Sequence, residues 1–439
     1  MTQQRQHRQE ELAITYHTVV LGALGRDGHA RAEISQQNTA GELETRVIQV
    51  PAGLPGERVT IAVEEAPKPR PGRKRRHWKQ RPPRVWITEQ HTTAPERITA
   101  PCPVFGTCGG CQLQHMQYSA QVAWKREIVR QLLHEVGGFE NLPLLDTVAC
   151  DDPWHYRNHM RFSVHREGRP GLTARNSHWV LPLDECPIAD EKINRALNLV
   201  KQQVNPQPQV LIRCATSNNQ MLIQPTQSEE MTAQFTAAGL EIRSETMEET
   251  LDGHAFRIRP SSFFQTNIAQ AEKMASMVYN GILAGKTPEE AKELTVVDAY
   301  CGVGTFATLL APHVGKVIAI EESTSAVKDA QWNMRDVEHV EILKGKVEDV
   351  LPGVAQQIDS FVIDPPRAGC QQSVLDTLIQ HPVKRIVYVS CDPATLARDL
   401  NILCNLNPTY QLRSVQPLDM FPQTAHIETV VCLDRNPGL

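Results

Sequence analysis

The sequence predicts a multi-domain chain: a small N-terminal β-barrel over residues 12–98, a central α+β region with a cysteine cluster over residues 99–260, and a C-terminal α/β Rossmann-like domain over residues 261–439. Three observations predict it. Short strands separated by turn residues fill the first segment, closely spaced cysteines open the second, and strands alternate with helices through most of the third. A chain of 439 residues, 41% hydrophobic and 22% charged, has material for two or three cores of ordinary size.

In the first segment TVVLGAL, HARAEI, RVIQVP, RVTIAVEE and RVWITEQ read as strands, with GRDG and GLPGE as turns. Strands this short and this regular suit a small antiparallel barrel of the oligonucleotide-binding (OB-like) kind. From Lys68 to Arg84 the chain carries nine Lys or Arg and no acid, interleaved with Pro69, Pro71, Pro82, Pro83 and Trp78. Like charges repel and prolines remove donors, so this stretch does not pack on itself. It reads either as a solvated linker or as an arm for phosphates, with counterion release supplying the affinity. The net formal charge of −5 argues against nucleic acid as a partner, but this clustering reverses the argument.

The opening residues, MTQQRQHRQEEL, are polar and of both signs, unlike a signal peptide. No apolar run reaches the roughly 18 residues of a spanning helix, so a cytoplasmic protein is expected. Eleven cysteines in such a chain are not expected to form disulfides. Cys102, Cys108 and Cys111 stand apart as C-x5-C-x2-C, whereas Cys150, Cys214, Cys370, Cys404 and Cys432 sit among apolar neighbours and read as small buried hydrophobes.

The segment CPVFGTCGGCQLQHM is too rich in Gly and Cys to be a packed helix. SAQVAWKREIVRQLLHEVGGF after it has helical periodicity and a glycine stop. HMRFSVHR, QVLIRCA, QMLIQP and AFRIRP then read as strands, with one helix near DEKINRALNLVKQQV.

In the third segment the strands are TVVDAY, KVIAIE, VEILKG, SFVIDPP, RIVYVSC, YQLRSVQPLDM and ETVVCLDR; SAVKDAQWNM, SVLDTLIQ and TLARDLNIL are helices between them. That alternation implies right-handed βαβ units and a largely parallel sheet. TVVDAY runs into CGVGTF, where Gly302 and Gly304 let the backbone turn sharply and approach a ligand. Glu321 ends the second strand, where a carboxylate accepts from ribose hydroxyls. No third glycine and no phosphate-binding lysine follow, which disfavours a dinucleotide or ATP. S-adenosylmethionine, with a ribose and an amino-acid tail but no phosphate, fits.

Asp364-Pro365-Pro366-Arg367 ends the fourth strand and faces the same cleft. Methylases of exocyclic amines use a related Asn- or Asp-Pro-Pro-aromatic sequence, but here Arg367 replaces the aromatic, which counts against amine methylation. Cys391 ends the fifth strand and is the candidate nucleophile. Uracil C5 is a poor nucleophile, and adding a thiolate to C6 makes an enolate whose C5 can take a methyl group. Glu428, before the last strand among apolar residues, is the candidate base for the C5 proton. Taken without that context, Cys391 reads first as a small buried residue; a cofactor site on the same sheet edge reverses that reading.

These residues give the chain a resemblance to the RNA uracil-5 methyltransferases, particularly the bacterial 23S rRNA (uracil-C5)-methyltransferases with an N-terminal TRAM domain. The resemblance covers nearly the whole chain through C-P-x-F-G-x-C-G-G-C-Q-x-Q-H, Y-R-N, F-F-Q-T-N, D-A-Y-C-G-V-G-T-F, D-P-P-R-A-G, Y-V-S-C-D-P-A-T-L-A-R-D and D-M-F-P-Q-T-A-H-I-E. It implies Cys391 as nucleophile, Glu428 as base, and S-adenosylmethionine contacts at Gln265, Tyr300, Thr305, Glu321 and Asp364. Phe263 becomes a candidate to stack on a flipped base, and equally a core residue. Many relatives have Asn where this chain has Asp392, which puts a charge beside the thiol. The resemblance also implies a [4Fe–4S] cluster on Cys102, Cys108, Cys111 and Cys186, with a structural role; spacing alone leaves zinc open. The implied partner is 23S rRNA, with the T-loop uridine of tRNA as the alternative. A monomer is expected, since no apolar surface helix stands out.

Overall fold

The computed structural model describes residues 14–37, 43–65, 82–205 and 207–438. Most of the basic stretch, up to Arg81, therefore lies outside the described residues. The chain divides into two compact units, residues 1–100 with 111–117, and residues 101–110 with 118–439.

The first unit holds β1 (Ile14–Val20), β2 (Ala30–Gln37), β3 (Leu43–Val50), β4 (Arg58–Glu64) and β5 (Arg84–Gln90). All five expected strands are there, the first beginning earlier than its apolar run. They pair antiparallel as β1-β4-β5 and β2-β3, two ladders rather than the closed cylinder expected, among the described residues. Alternation on β4 turns Val59, Ile61 and Val63 inward, where they are buried with Ile34, Ile48 and Val50. The buried Glu57 carboxylate ties the turn before β4 to the exit of β5, accepting from Leu54 N at 2.8 Å, Ala94 N at 3.2 Å and Arg97 Nε at 2.5 Å.

The second unit opens, beyond the cysteine segment, with α1 (Tyr118–Glu135), which stops at Gly137 and Gly138, the latter at φ +73°. Its buried stripe includes Trp124, Ile128, Val129 and Leu133, but also Gln121 and Lys125. Next come β6 (His159–Val164), β7 (Pro170–Thr173), β8 (Val180–Leu181), α2 (Glu191–Val200), β9 (Gln209–Cys214), β10 (Gln220–Gln224), α3 (Glu229–Ala237) and β11 (Glu241–Arg243). Their strands form a six-stranded sheet in the order β11-β10-β9-β6-β7-β8. Then β12 (Met247–Leu251) and β13 (His254–Ile258) make a hairpin whose turn residues Asp252 and Gly253 both have positive φ, as a two-residue hairpin loop requires.

After α4 (Ile268–Leu283) and the single turn α5 (Pro288–Ala291), the strand–helix alternation begins. Its strands are β14 (Thr295–Ala299), β15 (Lys316–Glu321), β16 (Val340–Lys344), β17 (Ser360–Ile363), β18 (Arg385–Ser390), β19 (Tyr410–Leu418) and β20 (Glu428–Arg435). Between them run α6 (Thr305–Leu310), α7 (Thr324–Asn333), α8 (Val347–Val354), α9 (Gln372–Gln380) and α10 (Pro393–Asn401). The seven-stranded sheet has the order β16-β15-β14-β17-β18-β20-β19. Every pairing among the first five is parallel, and β20 runs antiparallel to both its neighbours. Strand order reverses beside β14, which opens a crevice at the carboxyl ends of β14 and β17. Under the sheet, Ala271, Met274, Ala275 and Val278 of α4 pack with Val296, Val362, Val387 and Val389. Among the described residues no helix is long and apolar enough to cross a membrane.

Candidate active site

The crevice begins where β14 ends. The chain turns through Tyr300, Gly302 and Gly304 at φ +63°, +57° and +87° before entering α6. The positive φ is what favours glycine at 304; a Cβ there would also lie 2.8 Å from Met334 Cε, the movable end of a flexible side chain. A Cβ on Gly302 would meet nothing within 4 Å, so that stretch of backbone faces open space. Tyr300 holds a left-handed conformation that costs a non-glycine residue energy, the kind of strain that gathers at ligand sites.

Three carboxylates edge this turn. Glu321 accepts from Gly302 N at 3.0 Å and from Ser323 N at 2.7 Å, which fixes its plane beside the glycine turn. Asp298, one residue before the end of β14, is fully buried and accepts from Ala307 N at 2.9 Å through Oδ2. Its Oδ1 has no hydrogen-bond partner. Burial, with Asp364 and Glu321 adding repulsion, pushes its pKa up to about 8. Burial likewise pushes Asp364 up to about 7. A crevice that holds acids against their own repulsion favours a cationic ligand. S-adenosylmethionine carries two positive groups, its sulfonium and its ammonium, so the donor set fits it.

The second half of the site lies one strand further along. Cys391 follows β18 directly, and Glu428 is the first residue of β20. The antiparallel register pairs Ser390 with Thr429, which sets Cys391 and Glu428 opposite each other at the strand edge. Burial, then Glu428 and Asp364, push the Cys391 thiol up to about 11, and the charge and hydrogen bond of Arg367 oppose them. Glu428 is only 3% exposed, and burial raises its pKa well above the carboxylate range; Asp364 adds to that and Arg367 opposes it. Arg367 Nη2 also meets His426 Nδ1 at 2.8 Å. Burial and that guanidinium lower His426 to about 4, so the ring is neutral and accepts.

The Asp392 carboxylate is committed elsewhere. It caps α10, accepting from Ala394 N at 3.0 Å and Thr395 N at 3.3 Å, with Pro393 in the first helical turn. The backbone donors of the helix end thus hold the charge that the sequence places beside the thiol.

The structure therefore gathers Asp364, Arg367, Cys391 and Glu428 into one cluster, and Glu321 with the glycine turn into another beside it. Tyr300 lies on the turn itself and Thr305 opens α6, both half-buried. Gln265 lies between β13 and α4, its carbonyl accepting from Asn158 Nδ2 at 3.3 Å. Phe263 is 66% exposed, so it is not a core residue. Sequence reasoning missed two participants. Asp298 was signalled by an acid in an otherwise apolar strand, and His426 by its place two residues before Glu428.

The cysteine group needs a correction. Among the described residues no three His, Cys, Asp or Glu side chains stand close enough to hold a metal ion. Within the second unit Cys102, Cys108 and Cys186 do sense one another: Cys102 adds to the rise of Cys108, and both add to that of Cys186. Burial is the larger cause, taking Cys186 to about 11. The four cysteines expected as ligands are thus not drawn together to metal-binding distance among the described residues.

A family model described as tRNA (uracil-5-)-methyltransferase matches residues 230–436. An uncharacterized RNA methyltransferase of Listeria innocua is 32% identical over 90% of this chain and 94% of its own length. One of Gloeobacter violaceus is 34% identical over 78% of this chain and 84% of its own. Among solved structures, the Pyrococcus abyssi tRNA (uracil-54, C5)-methyltransferase in complex with S-adenosyl-L-homocysteine covers 95% of this chain and 100% of its own. Its TM-score is 0.69 at 23% identity, which is a likeness of fold.

Proposed function

Since the chain belongs to the RNA uracil-5 methyltransferase family, we propose that it methylates C5 of a specific uridine in 23S rRNA through a covalent bond between Cys391 and C6. The supporting observation is the cross-strand pair of Cys391 and Glu428 beside Asp364 and Arg367. Gln265, Tyr300, Thr305, Glu321 and Asp364 hold S-adenosylmethionine, which supplies the electrophilic methyl group.

A thiol with a pKa of about 11 is almost wholly protonated at neutral pH, so it must first give its proton to water, and the small thiolate fraction forms the C6–S bond. Arg367 assists by favouring the charged sulfur. The C6–S bond pushes electrons to C5, which takes the methyl group and retains its hydrogen. Glu428, in its carboxylate form, removes that proton, the C5–C6 double bond re-forms, and the Cys391 thiolate leaves and takes a proton from water. Phe263, exposed at the surface, stacks on a base displaced from the RNA.

Residues 12–98 serve as a TRAM-type RNA-binding barrel, residues 99–260 as a central domain and residues 261–439 as the methyltransferase domain. Cys102, Cys108, Cys111 and Cys186 would hold a [4Fe–4S] cluster that stabilises the fold, each thiol losing its proton to bind iron. The same chemistry on the T-loop uridine of tRNA is the second reading, and the description of the matching family model favours it.

The test is methyl transfer from labelled S-adenosylmethionine to undermodified 23S rRNA and to tRNA, with the product mapped. A 5-methyluridine in 23S rRNA is the expected result. The same product in tRNA selects the second reading, and methylation of a base amine overturns the mechanism.

A further inference from the structure

Glu428 is reached through a short segment, Asp419 to Thr424, that is buried except for the half-buried Phe421 and is held by several side chains from elsewhere in the unit. Lys125 and Asp419 are both 0% exposed, and Lys125 Nζ meets Asp419 Oδ1 at 2.5 Å and Phe421 O at 3.1 Å. Gln121 lies one helical turn earlier on the same face of α1. Its Nε2 donates to Gln423 Oε1 at 2.9 Å, and its Oε1 accepts from Gln423 N at 3.2 Å. Three more side chains complete the hold. Asn267 Nδ2 donates to Met420 O at 3.2 Å, Gln270 Nε2 to Asp419 O at 2.9 Å, and the Tyr156 hydroxyl to Pro422 O at 3.0 Å.

Two features of this hold oppose stability on their own. Burying an ammonium and a carboxylate together costs desolvation that apolar residues of the same size would avoid. Gln423 sits at φ +68°, a left-handed conformation that persists only where the surroundings over-determine it. Both features converge on the turn that ends, five residues past Gln423, at Glu428. Fixed geometry at that carboxylate is what an expensive buried network can supply.

We infer that Gln121 and Lys125 are positioning residues for Glu428: from one face of α1 they lock the Asp419–Gln423 turn and so set where the carboxylate stands against the C5 proton. The inference rests on the reading of Glu428 as the base. Neither side chain is placed at the reacting atoms; each acts through the turn.

The experiment separates the two halves of the reaction in a single turnover on undermodified 23S rRNA (or on tRNA, if that is the substrate). Methyl transfer from labelled S-adenosylmethionine reports the first half. Decay of the labelled protein–RNA adduct that survives denaturation reports the second. The variants are Gln121→Met and the charge-free pair Lys125→Met with Asp419→Leu, so that a folding failure in one leaves the other; circular dichroism checks both. Displacing a base by a fraction of an ångström predicts roughly 10- to 100-fold slower adduct decay with methyl transfer little changed. Equal slowing of both steps, or decay at the wild-type rate in a folded variant, overturns the inference. Glu428→Gln runs alongside: if it accumulates no adduct, the base assignment itself has failed.

Discussion

Arg367 and His426 are joined at 2.8 Å, guanidinium Nη2 to imidazole Nδ1, with the histidine held neutral. A neutral ring can accept this hydrogen bond, and an imidazolium could not. The pair orients the guanidinium that, among the described residues, opposes burial at both Cys391 and Glu428. Because the Cys391 pKa is raised to about 11, its thiolate fraction grows about tenfold per pH unit through the neutral range. Arg367→Met removes the influence that lowers that pKa. Adduct formation, followed by rapid quench across pH 6 to 10, should then rise along a parallel line displaced to higher pH and be slower at each pH. An unchanged line would show that Arg367 does not act on the thiol.

Asp298 makes stability without cofactor depend on pH in a defined direction. Its carboxyl has a folded pKa of about 8 against an ordinary value of 3.8, so between these limits the folded state binds more protons than the unfolded chain. Stability attributable to this group is therefore full below about pH 4, falls by up to about 1.4 kcal/mol per pH unit between the limits, and is lost above about 8. Asp298→Asn should raise Tm more at pH 8 than at pH 5, measured by calorimetry without cofactor. A gain equal at both pH values would mean that the carboxyl is not held protonated.

Glu321 presents both oxygens to backbone donors, Gly302 N and Ser323 N. Glu321→Gln turns an amide NH2 towards one of those N–H groups and removes the charge. Loss of charge-assisted hydrogen bonds of about 1.5–3 kcal/mol predicts roughly 10- to 100-fold weaker S-adenosylmethionine binding by calorimetric titration. RNA affinity should stay within a factor of two or so, and a matching loss there would place Glu321 outside the cofactor site.

Phe263 offers the complementary result. Its exposed ring predicts that Phe263→Ala weakens RNA binding by about 1–3 kcal/mol while cofactor affinity holds. Filter binding with undermodified RNA measures it, and unaltered affinity would remove the stacking role.

Much of this site is legible in the sequence because chemistry and topology coincide there. Each of Gly302, Glu321, Asp364 and Cys391 follows or ends an apolar strand run, and a parallel sheet brings such ends to one edge. Four helices, α3, α4, α5 and α8, escaped notice. α3 buries only Met231 and Phe235, too few to mark a stripe, whereas Ile268, Ala271, Ala275, Val278 and Ile282 of α4 do follow helical spacing and were there to be read. Gln121 and Lys125 look like solvated positions in sequence; only the tertiary fold shows them buried and paired. Cysteine spacing names candidate ligands but cannot report how far apart the thiols stand in the fold.

The central claim is substitution at C5 through a bond to Cys391, and release of the C5 hydrogen tests it most directly. RNA transcribed with tritium at uridine C5 is incubated with the protein and S-adenosylmethionine, and tritium in water is counted against methyl groups transferred. The account predicts one tritium released per methyl group, and none of either with Cys391→Ala. Methyl transfer without tritium release, or release that persists in Cys391→Ala, would contradict it.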